Sequence, residues 1–273
     1  VAMAAALPLL LSAGGAAGEM PEVQAIDDIL RELENEFQWL RAEAEADVVW
    51  SASKYQQRSS QAPSFVTIIT ADDIETFGYR TLADVIRSVS GMAVTSNRNY
   101  EYIGVRGFQR LGDLNTRVLL LIDGHRLNDT IFQQAMIGGD FPLDMNMVER
   151  VEITRGPGSC LYGTNAFFAV INVIPKTGDR LNGLEVSQRV GTRRTMNTRV
   201  AAGNALNADA AALLSATLMT SDGEERLYYE EFDDPATNGG AAMNKDGERL
   251  AQGFVKFSGE RWNVTALYGS REK

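Results

Sequence analysis

One cysteine and one histidine in 273 residues are too few for most site chemistries. Cys160 has no second cysteine to bridge to, and His125 stands without the companions that a zinc site needs. A long apolar run is also missing. The best, around Leu7-Pro8-Leu9-Leu10-Leu11, falls short of the ~20 residues a membrane-crossing helix requires. Basic residues are in the minority, 26 Lys and Arg against 36 Asp and Glu, and form no cluster. That balance offers nothing to a phosphate backbone, so no nucleic acid is expected as a partner. No serine, cysteine or carboxylate pair has the neighbours of a nucleophilic or acid–base site. Neither an enzymatic activity nor a cofactor is expected.

What is present falls into five stretches. Residues 1–17 end in small residues, Gly15-Ala16-Ala17, after the short apolar run, the pattern of the latter part of a secretory signal peptide. In residues 18–46 the apolar Ile26, Ile29, Leu30, Leu33, Phe37 and Leu40 recur at helical spacing, with Asp27, Glu32, Glu34 and Glu36 on other faces. This predicts an acidic amphipathic helix that acts as a spacer or packs on a partner. Residues 47–62 open with a short extended patch, Asp47-Val48-Val49-Trp50-Ser51-Ala52, and continue as a polar leash from Ser53 to Ala62. An unpaired strand of this kind adds to the edge of a partner's sheet or begins the next domain.

From residue 63 to 178 the pattern is α+β. Phe65 to Ile69 reads as a strand, Thr70 as the cap of a helix opening with Ala71-Asp72-Asp73, and Thr81 to Ser88 as a second helix ended by Gly91. Met92-Ala93-Val94, Ile103-Gly104-Val105 and Val118 to Ile122 add strands. The stretch from Glu149 to Lys176 organises the rest: strand, Gly156-Pro157-Gly158 turn, a pause at Tyr162-Gly163-Thr164-Asn165, then strand Val170 to Ile174. Gly158 to Gly163 has the spacing of a phosphate-binding loop, but the lysine is missing and Pro157 removes an N–H. Asp123-Gly124-His125-Arg126 is a hairpin-turn signature, which makes His125 an exposed turn residue rather than a base.

Residues 179–273 alternate. Leu184, Val186 and Val190 are interleaved with Glu185, Ser187 and Arg189, and similar alternation runs through Ala210 to Leu218, Ala251 to Phe257 and Trp262 to Tyr268. A transmembrane barrel and a soluble sandwich both give this pattern. Turn lengths favour the barrel: Asn204 to Asn207 and Gly259-Glu260 make short turns, and Ser221 to Glu248 a long acidic loop on the opposite side. Trp262 beside a short turn suits an aromatic girdle. The acids of the long loop match no calcium-loop spacing, and no metal ligand is assigned.

Taken together, Ala71-Asp72-Asp73-Ile74, Thr81-Leu82-Ala83-Asp84-Val85, Gly104-Val105-Arg106-Gly107-Phe108, Ile122-Asp123-Gly124 and Arg155-Gly156-Pro157 resemble, in order, the plug domain of TonB-dependent outer-membrane receptors. One departure is Phe167-Phe168-Ala169, where the family pattern has small glycines. The resemblance implies an α+β plug domain (63–178) followed by the first few antiparallel strands of a truncated transmembrane β-barrel (179–273). About five strands against ~22 in such transporters make the chain a piece of a longer protein.

It also implies active uptake of a scarce solute, a siderophore, cobalamin or similar, across a Gram-negative outer membrane. The partners implied are the C-terminal domain of TonB with its inner-membrane energising complex, a small-molecule or metal-chelate ligand, and outer-membrane lipid. Asp47, Val48, Val49, Trp50, Ser51 and Ala52 sit where the family keeps its TonB box. Arg106 and Arg155 correspond to a latch between plug and barrel. Asn97, Arg98, Asn99, Tyr100, Phe132, Gln133 and Gln134 lie in loops expected to face ligand. The alternative is a soluble periplasmic binding module built from the plug alone.

Overall fold

The computed structural model describes residues 65–273, apart from residues 111 and 208, together with Arg31 and the short strands β1 (Val48–Val49) and β2 (Gln57–Arg58). The chain divides into two units, Val1–Ala46 and Asp47–Lys273, and the second carries the architecture. The predicted signal segment 1–17, the helical spacer 18–46 apart from Arg31, and most of 47–62 lie outside the described residues. Where 47–62 is described, one expectation changes. Val48–Val49 is not an unpaired strand: Val48 pairs with Arg58 and Val49 with Gln57, so part of the expected leash already occupies one of its edges.

Strands β3 (Phe65–Thr70), β8 (Val148–Arg155), β9 (Ala169–Pro175), β6 (Val118–Ile122) and β7 (His125–Arg126) form one mixed sheet in that spatial order. Only β6 and β9 run parallel. Both lie in the middle and are buried on both faces, as their unbroken apolar runs require. Val118, Leu120 and Ile122 enter the main core; Leu119 and Leu121 face a smaller cluster with Ala166 and Val170. Strands β4 (Met92–Ser96) and β5 (Glu101–Val105) form a separate hairpin.

Two short helices, Ala71–Phe77 and Leu82–Ser88, cover the sheet through Ile74, Leu82, Val85 and Ile86. Each opens with a reciprocal capping box. Thr70 and Thr81 accept from the backbone N–H of Asp73 and Asp84, whose carboxylates accept the threonine N–H in return. The second helix ends on Val89 rather than Gly91; Gly91 instead turns the chain into β4 at φ +77. Gly158 to Gly163 is not a phosphate cradle. It holds the one-turn helix Ser159–Tyr162, and the N–H groups of Gly158, Leu161, Tyr162 and Gly163 all donate to nearby carbonyls.

The remaining chain is a five-stranded antiparallel sheet: β10 (Gly183–Val190), β11 (Met196–Asn207), β12 (Ala210–Ser221), β15 (Glu248–Gly259) and β16 (Asn263–Glu272). Asn204 to Asn207 is the end of β11, carrying a bulge between Ala205 and Asn207, and not a turn; the described turn residue is Asp209, whose N–H donates to Asn207 Oδ1 at 2.9 Å. Asparagines read as turn residues, yet a bulge places them equally well. Gly259 N–H donates to Trp262 O at 2.8 Å and closes the other short turn. The long acidic loop is itself folded: β13 (Arg226–Tyr228) and β14 (Ala241–Met243) pair within it, and Ser221 and Glu248 are partners at its base.

The alternation runs opposite to that of a water-soluble sheet. The apolar set, with Leu184 72% exposed, Leu218 62% and Leu214 48%, points away from the protein. The more polar set, Arg199, Ser215, Thr217 and Lys256, is buried against the first domain, joined there by Leu213 and Phe254. Between the two, Thr177 to Asn182 makes a single helical turn, Gly178–Leu181. A Cβ on Gly178 would fall 2.0 Å from the carbonyl oxygen of Ala212, so backbone lies directly on backbone where the chain passes into the wall.

Candidate functional site

The loop between β4 and β5 is held by Asn97, whose carboxamide oxygen accepts the N–H groups of Asn99 at 3.0 Å and Tyr100 at 2.7 Å. This shape sends Arg98, at φ +70, toward the long-loop end of the wall. There Arg98 Nη1 meets Asp246 Oδ2 at 3.2 Å, Arg271 Nη1 donates to Asn99 O at 2.6 Å, and Lys273 Nζ donates to Arg98 O. Below the loop a cleft of about 370 Å³ opens between the two domains. Arg80, Glu101 and Asp144 line it from one side, and Arg189, Asn197 and Gln252 from the other.

The turn at residues 138–140 rests on that clasp. A Cβ at Gly139 would meet Glu248 Oε1 at 2.6 Å, and Arg271 Nε donates to the same oxygen at 2.5 Å. Asp140 accepts the Gly138 N–H at 3.0 Å. Its burial pushes its carboxyl above the ordinary carboxylate range, opposed by the nearby Arg271 and supported by Glu248.

The second loop expected to face ligand is built on Asp129. Its carboxylate accepts N–H groups of Ile131 at 2.8 Å, Phe132 at 2.7 Å and Gln134 at 2.7 Å. Although its partial burial acts the other way, these donors hold the Asp129 carboxyl below its ordinary range. Ile131 and Phe132 project into solvent. Gln133 O is tied inward by Asn128 Nδ2 at 3.0 Å, and Gln133 Oε1 accepts from Arg126 at 3.4 Å.

Buried Asn115, at φ +59, joins the two loops. Its carboxamide donates to Glu101 O at 2.9 Å and Ala135 O at 3.0 Å, and accepts from Ile103 N at 2.7 Å. Asn115 was not among the residues singled out from the sequence; the tolerance of asparagine for the left-handed region was the one available sign. The roles of Asp140, Asp246, Glu248 and Arg271 had no such sign.

Arg106 and Arg155 are neighbours. Arg106, at φ +51, is exposed and donates to Arg155 O at 3.3 Å. Arg155 donates to Ser90 O, reaches Thr67 Oγ1 at 3.2 Å and lies 5.9 Å over the Phe65 ring. None of these partners is a carboxylate, and among the described residues Arg155 Nε is buried without a hydrogen-bond partner. Nearby, Phe168 stacks on Phe108 at 5.9 Å and meets Phe167 edge-on at 4.9 Å, filling the place where glycines were expected. His125 is exposed in the turn, where Asp123 and Gly124 take φ +47 and +77, the two left-handed positions of a type I′ hairpin. Among the described residues no group of acids, histidine and cysteine is arranged to hold a metal.

A sheet that is apolar outside and packed on a globular α+β domain inside defines the class: a β-barrel wall with its plug. Residues 58–170 match the family model of the TonB-dependent receptor plug domain. The chain belongs to the TonB-dependent receptor family, of which it carries the plug and five antiparallel strands. It is 30% identical over 232 residues to the vitamin B12 transporter BtuB of Vibrio cholerae serotype O1, covering 82% of this chain and 35% of the relative. Against the iron-regulated outer membrane virulence protein of the same organism, identity is 33% over 136 residues, or 47% of this chain and 20% of that one.

Two solved structures share the fold. The ferripyoverdine receptor of the outer membrane of Pseudomonas aeruginosa gives a TM-score of 0.61 at 15% identity over 82% of this chain and 27% of its own. The ferric yersiniabactin uptake receptor FyuA from Yersinia pestis gives 0.56 at 20% identity, covering 78% and 32%. The chain thus spans about a third of the length of the vitamin B12 transporter it matches.

Proposed function

We propose that this chain is the plug and first wall strands of an outer-membrane receptor that imports a scarce solute, a cobalamin or ferric siderophore, with energy supplied through TonB. The observation that carries the reading is the wall itself. Five strands place Leu184, Val186, Leu214 and Leu218 outward and Arg199, Ser215, Thr217 and Lys256 inward on the plug. Water would reverse that order, whereas lipid outside and a plug inside require it. A soluble module made of the plug alone would have no use for such a sheet.

In this reading residues 1–17 direct export, 18–46 form a spacer, 47–62 hold the TonB box and leash, 63–178 form the plug, and the wall begins at 179. The long-loop end faces the exterior, and the short connections that follow β11 and β15 face the periplasm. The Asn97–Tyr100 loop, clasped to the long-loop end, then meets ligand together with the Phe132–Gln134 loop. Supporting this placement, Arg98, Asn99 and the wall residues Asp246, Arg271 and Lys273 converge at one rim.

TonB binds Val48–Val49 by strand addition at the edge that Gln57–Arg58 leaves open, or by displacing that pairing. The test is uptake of labelled cobalamin and of ferric siderophores by cells carrying the full-length receptor, with and without TonB. Uptake of one of them only when TonB is present is the expected result. TonB-independent entry of every solute tried, or absence of the protein from the outer membrane, would overturn the proposal.

A further inference from the structure

Lysine is almost never fully buried without a partner, yet Lys256 of β15 is only 4% exposed. It points inward, and its ammonium lies 2.8 Å from Asp123 Oδ2 and 3.1 Å from Pro175 O. Asn263 Nδ2 of β16 adds a third contact, 3.0 Å from the same Asp123 oxygen. Two wall strands therefore grip one aspartate on the plug.

Asp123 is in turn tied to the central sheet of the plug at the β6–β7 turn. Its backbone N–H donates to Val173 O at 3.0 Å, and the next residue, Gly124, donates to the carboxamide of buried Asn172 at 3.0 Å. Val173 and Asn172 belong to β9, the strand that ends at Pro175 and leads into the Gly178 passage. Lys256 thus touches the two neighbouring strand ends, β6 and β9, at the corner where the chain leaves the plug.

At the far end of β15 Glu248 pairs with Arg271 of its own sheet, and two contacts to the plug in between are less demanding. Phe254 enters the shared core, where apolar packing tolerates small displacements, and Gln252 donates to Phe141 O at 2.7 Å. A buried charge tolerates no such displacement, because sliding strands it unpaired. We propose that the Lys256–Asp123 pair is the keying contact that fixes the plug's seat in the wall and holds the β6–β7 turn and the end of β9 in place. The proposal rests on the receptor reading only in that the full-length protein must carry a plugged barrel.

The test uses the purified full-length receptor in detergent and reads amide hydrogen exchange over residues 118–126 and 169–175, which needs no ligand and no transport. Asp123→Asn keeps a residue suited to the left-handed turn position and removes only the charge. Asp123→Asn and Lys256→Met should each speed exchange in both segments by on the order of a hundredfold or more, because each leaves one buried charge alone. The double variant should exchange more slowly than either single one, since no charge is then stranded. Glu149→Gln, which breaks the solvent-reached pair of half-buried Glu149 with exposed Arg180, should change neither segment.

Single variants that exchange like the unaltered receptor would overturn the proposal. So would a double variant as exposed as the worse single one, because the two charges would then not act together. Should the unaltered receptor import nothing, the proposed function fails while the exchange measurement still decides the keying contact.

Discussion

Replacing Leu214 with arginine separates a lipid-facing wall from any water-facing sheet. Leu214 lies near the middle of β12, between Ala202 of β11 and Val255 of β15, and its side chain points outward. Twelve residues at ~3.3 Å each span about 40 Å. Tilted by ~45°, that length covers about 28 Å along the membrane normal, close to the ~25 Å apolar band of outer-membrane barrels. Leu214 therefore falls near the midplane, where an arginine costs about 2–4 kcal/mol. On a water-exposed strand the same change stays within about 0.5 kcal/mol. The assay is denaturant unfolding of the full-length receptor in lipid vesicles, with Glu260→Arg in the short turn as the control that should cost little. An L214R variant as stable as the control would mean that this face does not meet lipid, and the reasoning behind the wall would fail.

Val49→Pro should abolish TonB-dependent uptake while leaving ligand binding at the cell surface unchanged, because proline removes a ladder donor and fixes φ; normal uptake would remove the box from Val48–Val49. Neutralising Arg106 and Arg155 together in the full-length receptor should raise permeability to a large antibiotic, as expected if later strands supply the missing carboxylates; unchanged permeability would show that these arginines do not hold the plug. Asp140, its carboxyl raised by burial, binds its proton more readily folded than unfolded. Stability should therefore fall as pH rises from the ordinary carboxylate range through the raised value, and Asp140→Asn should flatten that dependence in thermal unfolding followed upward from the ordinary carboxylate range. A slope that survives the substitution would place the effect elsewhere. Thr81→Ala should destabilise the plug by about 1 kcal/mol in the same assay, since it deletes one half of a capping box.

The plug was legible because its signals are local. Thr70 with Asp73, Thr81 with Asp84, and Asp123-Gly124 each specify a cap or turn within four residues, and the period of two in β10, β12, β15 and β16 specifies strands. Alternation does not say which face is inside, however. Leu214 and Ser215 had to be placed before the apolar set was seen to point outward. The Asn204–Asn207 run was misread because asparagine serves turns and bulges alike, and Gly91 because a left-handed glycine two residues past the helix resembles its cap. The seam contacts had no local sign at all. Thr217 with Asp144, Lys256 with Pro175 and Asn263 with Asp123 join residues 73, 81 and 140 positions apart.

That spacing, and the Gly178 passage above all, constrains the order in which the molecule can be made. Ala212 lies against the backbone of Gly178, with Gly203 close by on the neighbouring strand, and there is no room for slack chain between them. A wall that closed first would have to admit a finished plug past this corner. A plug finished first would have to wait for strands that are synthesised after it. The simplest route is for β11 and β12 to form on the exit segment while the wall is still open, so that the barrel grows around its own obstruction. Pairings this distant in sequence form slowly. The slow step in biogenesis should then be the zipping of wall strands onto an already seated plug.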